Sequence, residues 1–229
     1  MAKRSQRKRT KKAKAKAKKR SKKRVNPRKT FVPGVSRTFS PPELKFLDGS
    51  YLTEDNLGTH DQYIWSIPSE CQSVNLIPKG TSVNERIGAQ AYATSLELRV
   101  EMANFTADST MDFGIIVYLD KQCNGATATV TEALVSTDEH AFNNLYNRER
   151  FKILRRKQWH MGYYGAAGDP GMRSYKCHIP LNLMLNFNGT GTGGSISDTR
   201  SNNVGIMLYN NNASSTEYKV YWRLRYRDS

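Results

Sequence analysis

The first thirty residues of this chain contain no aspartate, no glutamate and scarcely an apolar side chain larger than alanine. A segment so composed cannot bury enough apolar surface to offset its ordering entropy, so a packed core there is excluded. No apolar run is long enough to cross a bilayer; the longest, "FGIIVYL" at 113–119, is seven residues. Cysteine is scarce as well. Cys71, Cys123 and Cys177 are odd in number, far apart and without Cys-x-x-Cys spacing, which argues against a disulfide framework and fits a reducing compartment. Missing too are His-Glu-x-x-His, Gly-x-Ser-x-Gly and Gly-x-x-x-x-Gly-Lys, and with them the common metal-hydrolase, hydrolase and P-loop signatures. The expectation is a protein that is not an enzyme and needs no cofactor or metal.

What the first thirty residues do hold is charge. Lys3, Arg4, Arg7, Lys8, Arg9, Lys11, Lys12, Lys14, Lys16, Lys18, Lys19, Arg20, Lys22, Lys23, Arg24, Arg28 and Lys29 make 17 basic residues. The whole chain has 36 basic and 20 acidic residues; taking 17 from 36 leaves 19 against 20. The formal +16 therefore belongs to one segment, and the remainder is near neutral. Lysines outnumber arginines in the tail, and ammonium groups act as point charges rather than base-reading forks. The tail is expected to be disordered alone and to bind single-stranded nucleic acid strongly without sequence preference. If every charge met a phosphate, the log–log salt slope would be about −12. A short basic run also suffices for nuclear import, so a host import receptor is a second expected partner. No amphipathic face accompanies the charge, which argues against membrane insertion.

The organisation expected is a basic arm over 1–30, a proline-containing tether over 31–42 ("FVPGVSRTFSPP"), and a single folded body over 43–229. In the body, "SLELRVEM" alternates Leu96, Leu98, Val100 and Met102 against Ser95, Glu97, Arg99 and Glu101, the period of a half-buried strand. "YKCHIPLNLMLNF" does the same, with Pro180 marking an edge or a bulge. "EYKVYWRLRYRDS" gives a final strand with a basic outer side, and "MDFGIIVYLD" an interior strand. Strands are also expected at 150–161 and 204–210, with a weaker one at 63–67. Helical periodicity appears only in 129–147, as short turns. Long loops between such strands point to an all-β fold, a single eight-stranded jelly-roll sandwich.

Few constellations suggest chemistry. Gly189, Gly191 and Gly194 match a dinucleotide-loop spacing, but no βαβ context surrounds them. Asp108, Asp112 and Asp120 read as solvated loop acids in preference to a calcium site between subunits, and His178 beside Cys177 projects to the opposite strand face, so those two share no metal. The notable cluster is "RERFKILRRK", with Arg148, Arg150, Lys152, Arg155, Arg156 and Lys157. Strict alternation puts Lys152, Leu154 and Arg156 on one face and Phe151, Ile153 and Arg155 on the other. The segment is either a solvated strand end or a second nucleic-acid contact.

Three stretches carry a resemblance: 76–100 with Gly80, Asn84, Arg86 and Gly88; 113–135 with Asp120 to Gly125; and 142–157 with Arg150 to Leu154. Together with the basic arm and the closing "RLRYRD", these resemble the capsid proteins of circular Rep-encoding single-stranded DNA viruses and the related coat protein of satellite tobacco necrosis virus. The resemblance implies one jelly roll, sixty copies in a T=1 icosahedral shell, and an inward arm that packages a single-stranded genome, DNA ahead of RNA. It places the protein in the virion, and in the host nucleus during assembly. The alternative is a cellular nucleic-acid-binding protein of chromatin or ribosomal type with a lysine-rich tail.

Overall fold

The computed structural model describes residues 43–53, 64–66, 73–104, 110–162, 171–189, 192–210 and 216–228. The arm and tether expected over 1–42 lie outside the described residues. Among the described residues nine strands are formed: β1 (Leu44–Thr53), β2 (Ile64–Ser66), β3 (Gln90–Asn104), β4 (Met111–Asp120), β5 (Phe151–Met161), β6 (Met172–Phe187), β7 (Thr199–Ser201), β8 (Asn203–Asn210) and β9 (Thr216–Asp228). They build a five-stranded sheet in the order β1-β9-β3-β6-β7 and a four-stranded sheet in the order β2-β8-β4-β5.

The strand order fixes the topology. Leaving aside the three-residue β7, the antiparallel partners nest: β1 with β9, β2 with β8, β3 with β6, β4 with β5. Nested pairing of eight strands, rolled so that partners divide between two sheets, is a jelly roll.

The alternating sequence of β3 puts Leu96, Leu98, Val100 and Met102 inward against Phe113, Ile115 and Val117 of β4, Val204, Ile206 and Leu208 of β8, and Val220, Leu224 and Tyr226 of β9, all buried. Each such side chain contributes roughly 1.5–3 kcal/mol through its burial. β4 lies between β5 and β8 and is buried on both faces, as its unbroken apolar run requires. Pro180 sits beside a register shift in the β3–β6 pairing, with Asn182 at φ 50°, so the expected bulge is present.

β1 is the strand that periodicity does not reveal. Its inward positions are Lys45, Leu47, Gly49 and Tyr51, whereas the apolar Leu44, Phe46 and Leu52 are exposed. A Cβ added at Gly49 would lie 2.1 Å from the Trp222 ring, so the glycine makes room for that indole. Lys45 is buried, with Nζ 2.7 Å from the Asp228 carboxylate and donating to the Glu85 carbonyl at 3.0 Å. The pair ties the first strand to the end of the last.

A second, smaller core lies on the other side of the four-stranded sheet. Between β4 and β5 the chain makes an excursion containing a four-residue helix, α1 (Val130–Ala133), and a 3-10 turn (Leu145–Asn147). These are the short helical turns expected there. Ala128, Val130, Ala133, Leu134 and Ala141 pack on Ile116, Tyr118, Phe151, Met207 and Tyr209.

Candidate nucleic-acid interface

The seventeen basic residues of the arm, Lys3 to Lys29, lie outside the described residues. The second basic cluster is described, and it is dispersed by a bulge. Val117 pairs with Arg155 and Tyr118 with Ile153, so Leu154 is the extra residue on β5. The alternation reverses there, which corrects the strict pattern read from sequence. Lys152, Leu154, Arg155 and Lys157 share the inner side, and Phe151, Ile153 and Arg156 the outer.

Most of these cations are structural. Arg150 grips Asp120, which is fully buried, through two hydrogen bonds of 2.9 Å, and donates to Glu132 at 2.8 Å. The Asp120 hydrogen bonds hold its pKa above the ordinary guanidinium value. Arg156 donates to the backbone carbonyls of Ala141 at 2.7 Å and Glu139 at 2.6 Å, clamping the excursion to the sheet. Arg155 donates to the Tyr175 hydroxyl at 2.8 Å, across the mouth between β5 and β6, where Trp159 and Tyr175 meet edge-on at 5.0 Å. Lys157 lies 5.9 Å from the Trp159 ring centroid. Arg148 pairs with the exposed Glu149 at 3.4 Å, and Lys152 is exposed.

The motif residues of 76–88 are structural as well. Arg86 is buried, donates to the carbonyls of Ile77 (3.2 Å) and Gly88 (2.5 Å), and lies 4.2 Å over the Phe187 ring. Burial holds its pKa below the usual guanidinium value. Two of the acids read as loop residues are not: Asp112 and Asp120 lie near the two ends of β4, where Asp112 meets His160 at 2.5 Å and the buried Asp120 is taken by Arg150, while Asp108 lies outside the described residues. The chain after Gly194 forms a 3-10 turn (Ile196–Asp198) leading into β7, with no helix of the kind a dinucleotide loop precedes.

The broadest described surface of cations is elsewhere, on the outer face of the five-stranded sheet. The alternation of β9 that buries Val220, Leu224 and Tyr226 directs Tyr221, Arg223, Arg225 and Arg227 outward. In register beside them come Asp48 and Phe46 of β1, Glu97 and Arg99 of β3, then His178 and Lys176 of β6. Arg223 holds Asp48 through two 2.6 Å hydrogen bonds and lies 4.9 Å over the Phe46 ring. Glu97 accepts from Arg99 at 2.6 Å and from Arg225 at 3.1 Å. These arginines keep both carboxyls below the ordinary carboxylate range, Asp48 through Arg223 and Glu97 through Arg99 and Arg225.

Arg99, Lys176, Lys219, Arg223, Arg225 and Arg227 outnumber Asp48, Glu97 and Glu101 on this face. Arg99 and Lys176 stand directly opposite one another, and the Glu97 carboxylate on Arg99 is shared with Arg225, so the repulsion of the like charges is only partly offset. With Tyr92 and Tyr221 exposed among them, the face offers cations for phosphates and rings for bases. A half-open depression on this face is lined by Asp48, Glu97, Arg99, Lys176, Tyr221 and Arg223. Sequence reading noted the basic side of β9 but not the rows formed with β1, β3 and β6; the alternating cations and aromatics of 219–227 were the available signal.

No family model matches the chain, and no curated protein matches it. Among solved structures, Desmodium yellow mottle tymovirus overlays with a TM-score of 0.35 at 12% identity, covering 89% of this chain and 95% of that one. The empty head of turnip yellow mosaic virus gives 0.35 at 13% identity, covering 88% and 90%. The 60-mer BFDV capsid protein gives 0.33 at 9% identity, covering 83% and 96%. Overlays this loose carry no weight for function; the nested strand order stands on its own.

Proposed function

We propose that this chain is the subunit of a small icosahedral capsid that packages a single-stranded genome through its basic arm without sequence specificity. The observation that carries the reading is the separation of charge: 17 basic and no acidic residues in the first thirty, attached to a jelly roll whose share of the chain is close to neutral. A near-neutral body lets copies approach one another, while the arm supplies the attraction for a confined polyanion. Sixty arms would carry on the order of a thousand positive charges, suiting a strand of roughly one to two thousand nucleotides if counterions share the neutralisation. The outer face of the five-stranded sheet is the second contact in this reading, since phosphates would relieve the opposed Arg99 and Lys176 and bases would stack on Tyr221 and Tyr92. Nuclear import through the same arm, and DNA rather than RNA as cargo, belong to the proposal as well.

The test is sedimentation of the full-length protein with nucleic-acid and protein absorbance recorded across the boundary. A megadalton species that carries nuclease-resistant nucleic acid is expected. Removing residues 1–24 is expected to leave thermal unfolding of the body unchanged and abolish uptake; retained packaging would overturn the role of the arm. A species near 26.0 kDa that only binds added nucleic acid would instead favour the cellular binding protein.

A further inference from the structure

The excursion between β4 and β5 is apolar on both of its sides. A segment that covers a sheet needs one apolar side, and Ala133, Leu134 and Ala141 provide it. Yet the alternate residues Val135, Phe142, Leu145 and Tyr146 are 65%, 83%, 72% and 100% exposed. Val135 and Phe142 lie on a tight pairing, in which Leu134 bridges Asn143 and the Val135 N–H donates to the Phe142 carbonyl at 2.9 Å, and Leu145 and Tyr146 follow in the adjoining 3-10 turn. A second exposed apolar group lies along β1 and the adjoining loop: Leu44 at 55%, Phe46 at 37%, Val83 at 47% and Ile87 at 62%. Here the Phe46 N–H donates to the Val83 carbonyl. One group stands on the outer side of the four-stranded sheet, the other along the β1 edge of the five-stranded sheet and the loop bonded to it.

We infer that the Val135–Tyr146 knob of one copy docks on the Leu44–Ile87 edge of a second copy, a head-to-tail contact that repeats around a closed ring. This rests on the capsid reading above and names the surfaces that reading leaves open. Size supports a second copy as the occupant. Eight such side chains, the aromatic ones worth roughly 150–250 Å² each, offer on the order of 1,000 Å². With a polar rim that reaches the roughly 1,200–2,000 Å² which specific interfaces bury, and each group is as large as the patches monomers usually expose.

Charge selects the pairing. The knob is rimmed by Asp138, Glu139 and Glu149 against Arg148, so knob on knob would bring like charges together. The rim of the edge is balanced, with Arg225 and Arg227 of β9 lying across from Phe46 and Leu44, near Glu43 and Glu85. Two different patches meeting in this way make a heterologous contact, which generates rings when the rotation closes.

The test uses the full-length chain with Phe142→Asp plus Tyr146→Glu on the knob, and separately Leu44→Asp plus Ile87→Asp on the edge. All four positions are exposed, so circular dichroism is expected to match wild type. Each pair is expected to abolish the megadalton species. Pairing is then read with Phe142→Cys and Ile87→Cys under a flexible bis-maleimide, wild type serving as control for the native cysteines. The double variant is expected to give a ladder of multimers and either single variant only monomer. Dimers from Phe142→Cys alone would mean a symmetric knob contact and overturn the inference, as would shells formed normally by both charge variants. A wild-type chain that stays monomeric overturns the capsid reading, and this inference with it; assembled wild type with unaffected variants overturns the inference alone.

Discussion

The two sheets share one inner core but treat their outer faces in opposite ways. The four-stranded sheet is covered: Ile116, Tyr118, Met207 and Tyr209 lie beneath the excursion, and the arginines nearby are used to fasten it. The five-stranded sheet has no such cover over its outer face among the described residues, and its arginines are held by partly exposed surface carboxylates. Guanidinium groups of the same type therefore do different work, and what separates them is whether the partner is buried. Arg150 meets a carboxylate with no solvent exposure, whereas Arg223 and Asp48 are each nearly half exposed.

The contrast can be broken at four levels. The largest effect is expected from emptying the covered face: Ile116→Ala should cost about 3 kcal/mol in urea unfolding, whereas Tyr221→Ala on the open face should cost under about 1 kcal/mol. Next comes Arg150→Ala, which strands the buried Asp120 carboxylate and should cost about 2–3 kcal/mol, against less than about 1 kcal/mol for Arg223→Ala. Binding should reverse that order. With Arg223, Arg225 and Arg227 all changed to Gln, the salt slope for single-stranded DNA should fall by about 2, from about 0.7 per contact, while Arg156→Gln leaves the slope unchanged. An equal loss from both would mean the open face is not the contact.

The smallest effect is in the acid limb of stability. The Thr129 N–H, and then Arg150, hold the Glu132 carboxyl below its ordinary 4.5. A carboxyl whose folded pKa is depressed contributes fully above its unfolded value and loses that contribution as pH falls through the folded one. Wild type should therefore lose stability below about pH 4.5 by this route. Glu132→Gln should remove that dependence, by about half a kcal/mol or less because the group is partly exposed. A steeper acid limb in the variant would contradict the assignment.

Most of the sandwich was legible because its strands advertise themselves. The alternation of 95–102 and 218–226, and the unbroken apolar runs of 113–119 and 204–209, each state which faces are buried. β1 escaped because its inward row holds a lysine and a glycine, whose reasons for being there, Asp228 and Trp222, lie far along the chain. The basic run 148–157 misled because a single bulge at Leu154 reverses the faces, and the acceptors of Arg156 are backbone carbonyls that no side-chain pattern encodes. The charged rows on the five-stranded sheet were half visible: β9 shows its own alternation, but its partners Asp48 and Glu97 come from strands paired only in the fold.

The placement of β9 between β1 and β3, locked by Asp228 to Lys45, bears on how the protein is made. During synthesis, β1 emerges early and waits for a neighbour that is translated well over a hundred residues later, which makes its pairing the long-range, slow part of folding. Until residues 216–228 leave the ribosome the five-stranded sheet has a gap at its second position. The charged rows are then incomplete, and the β1 edge has no support. A nascent chain can thus neither complete its outer cation row nor close the sheet over β1, so the fold is finished only once residues 216–228 have been made.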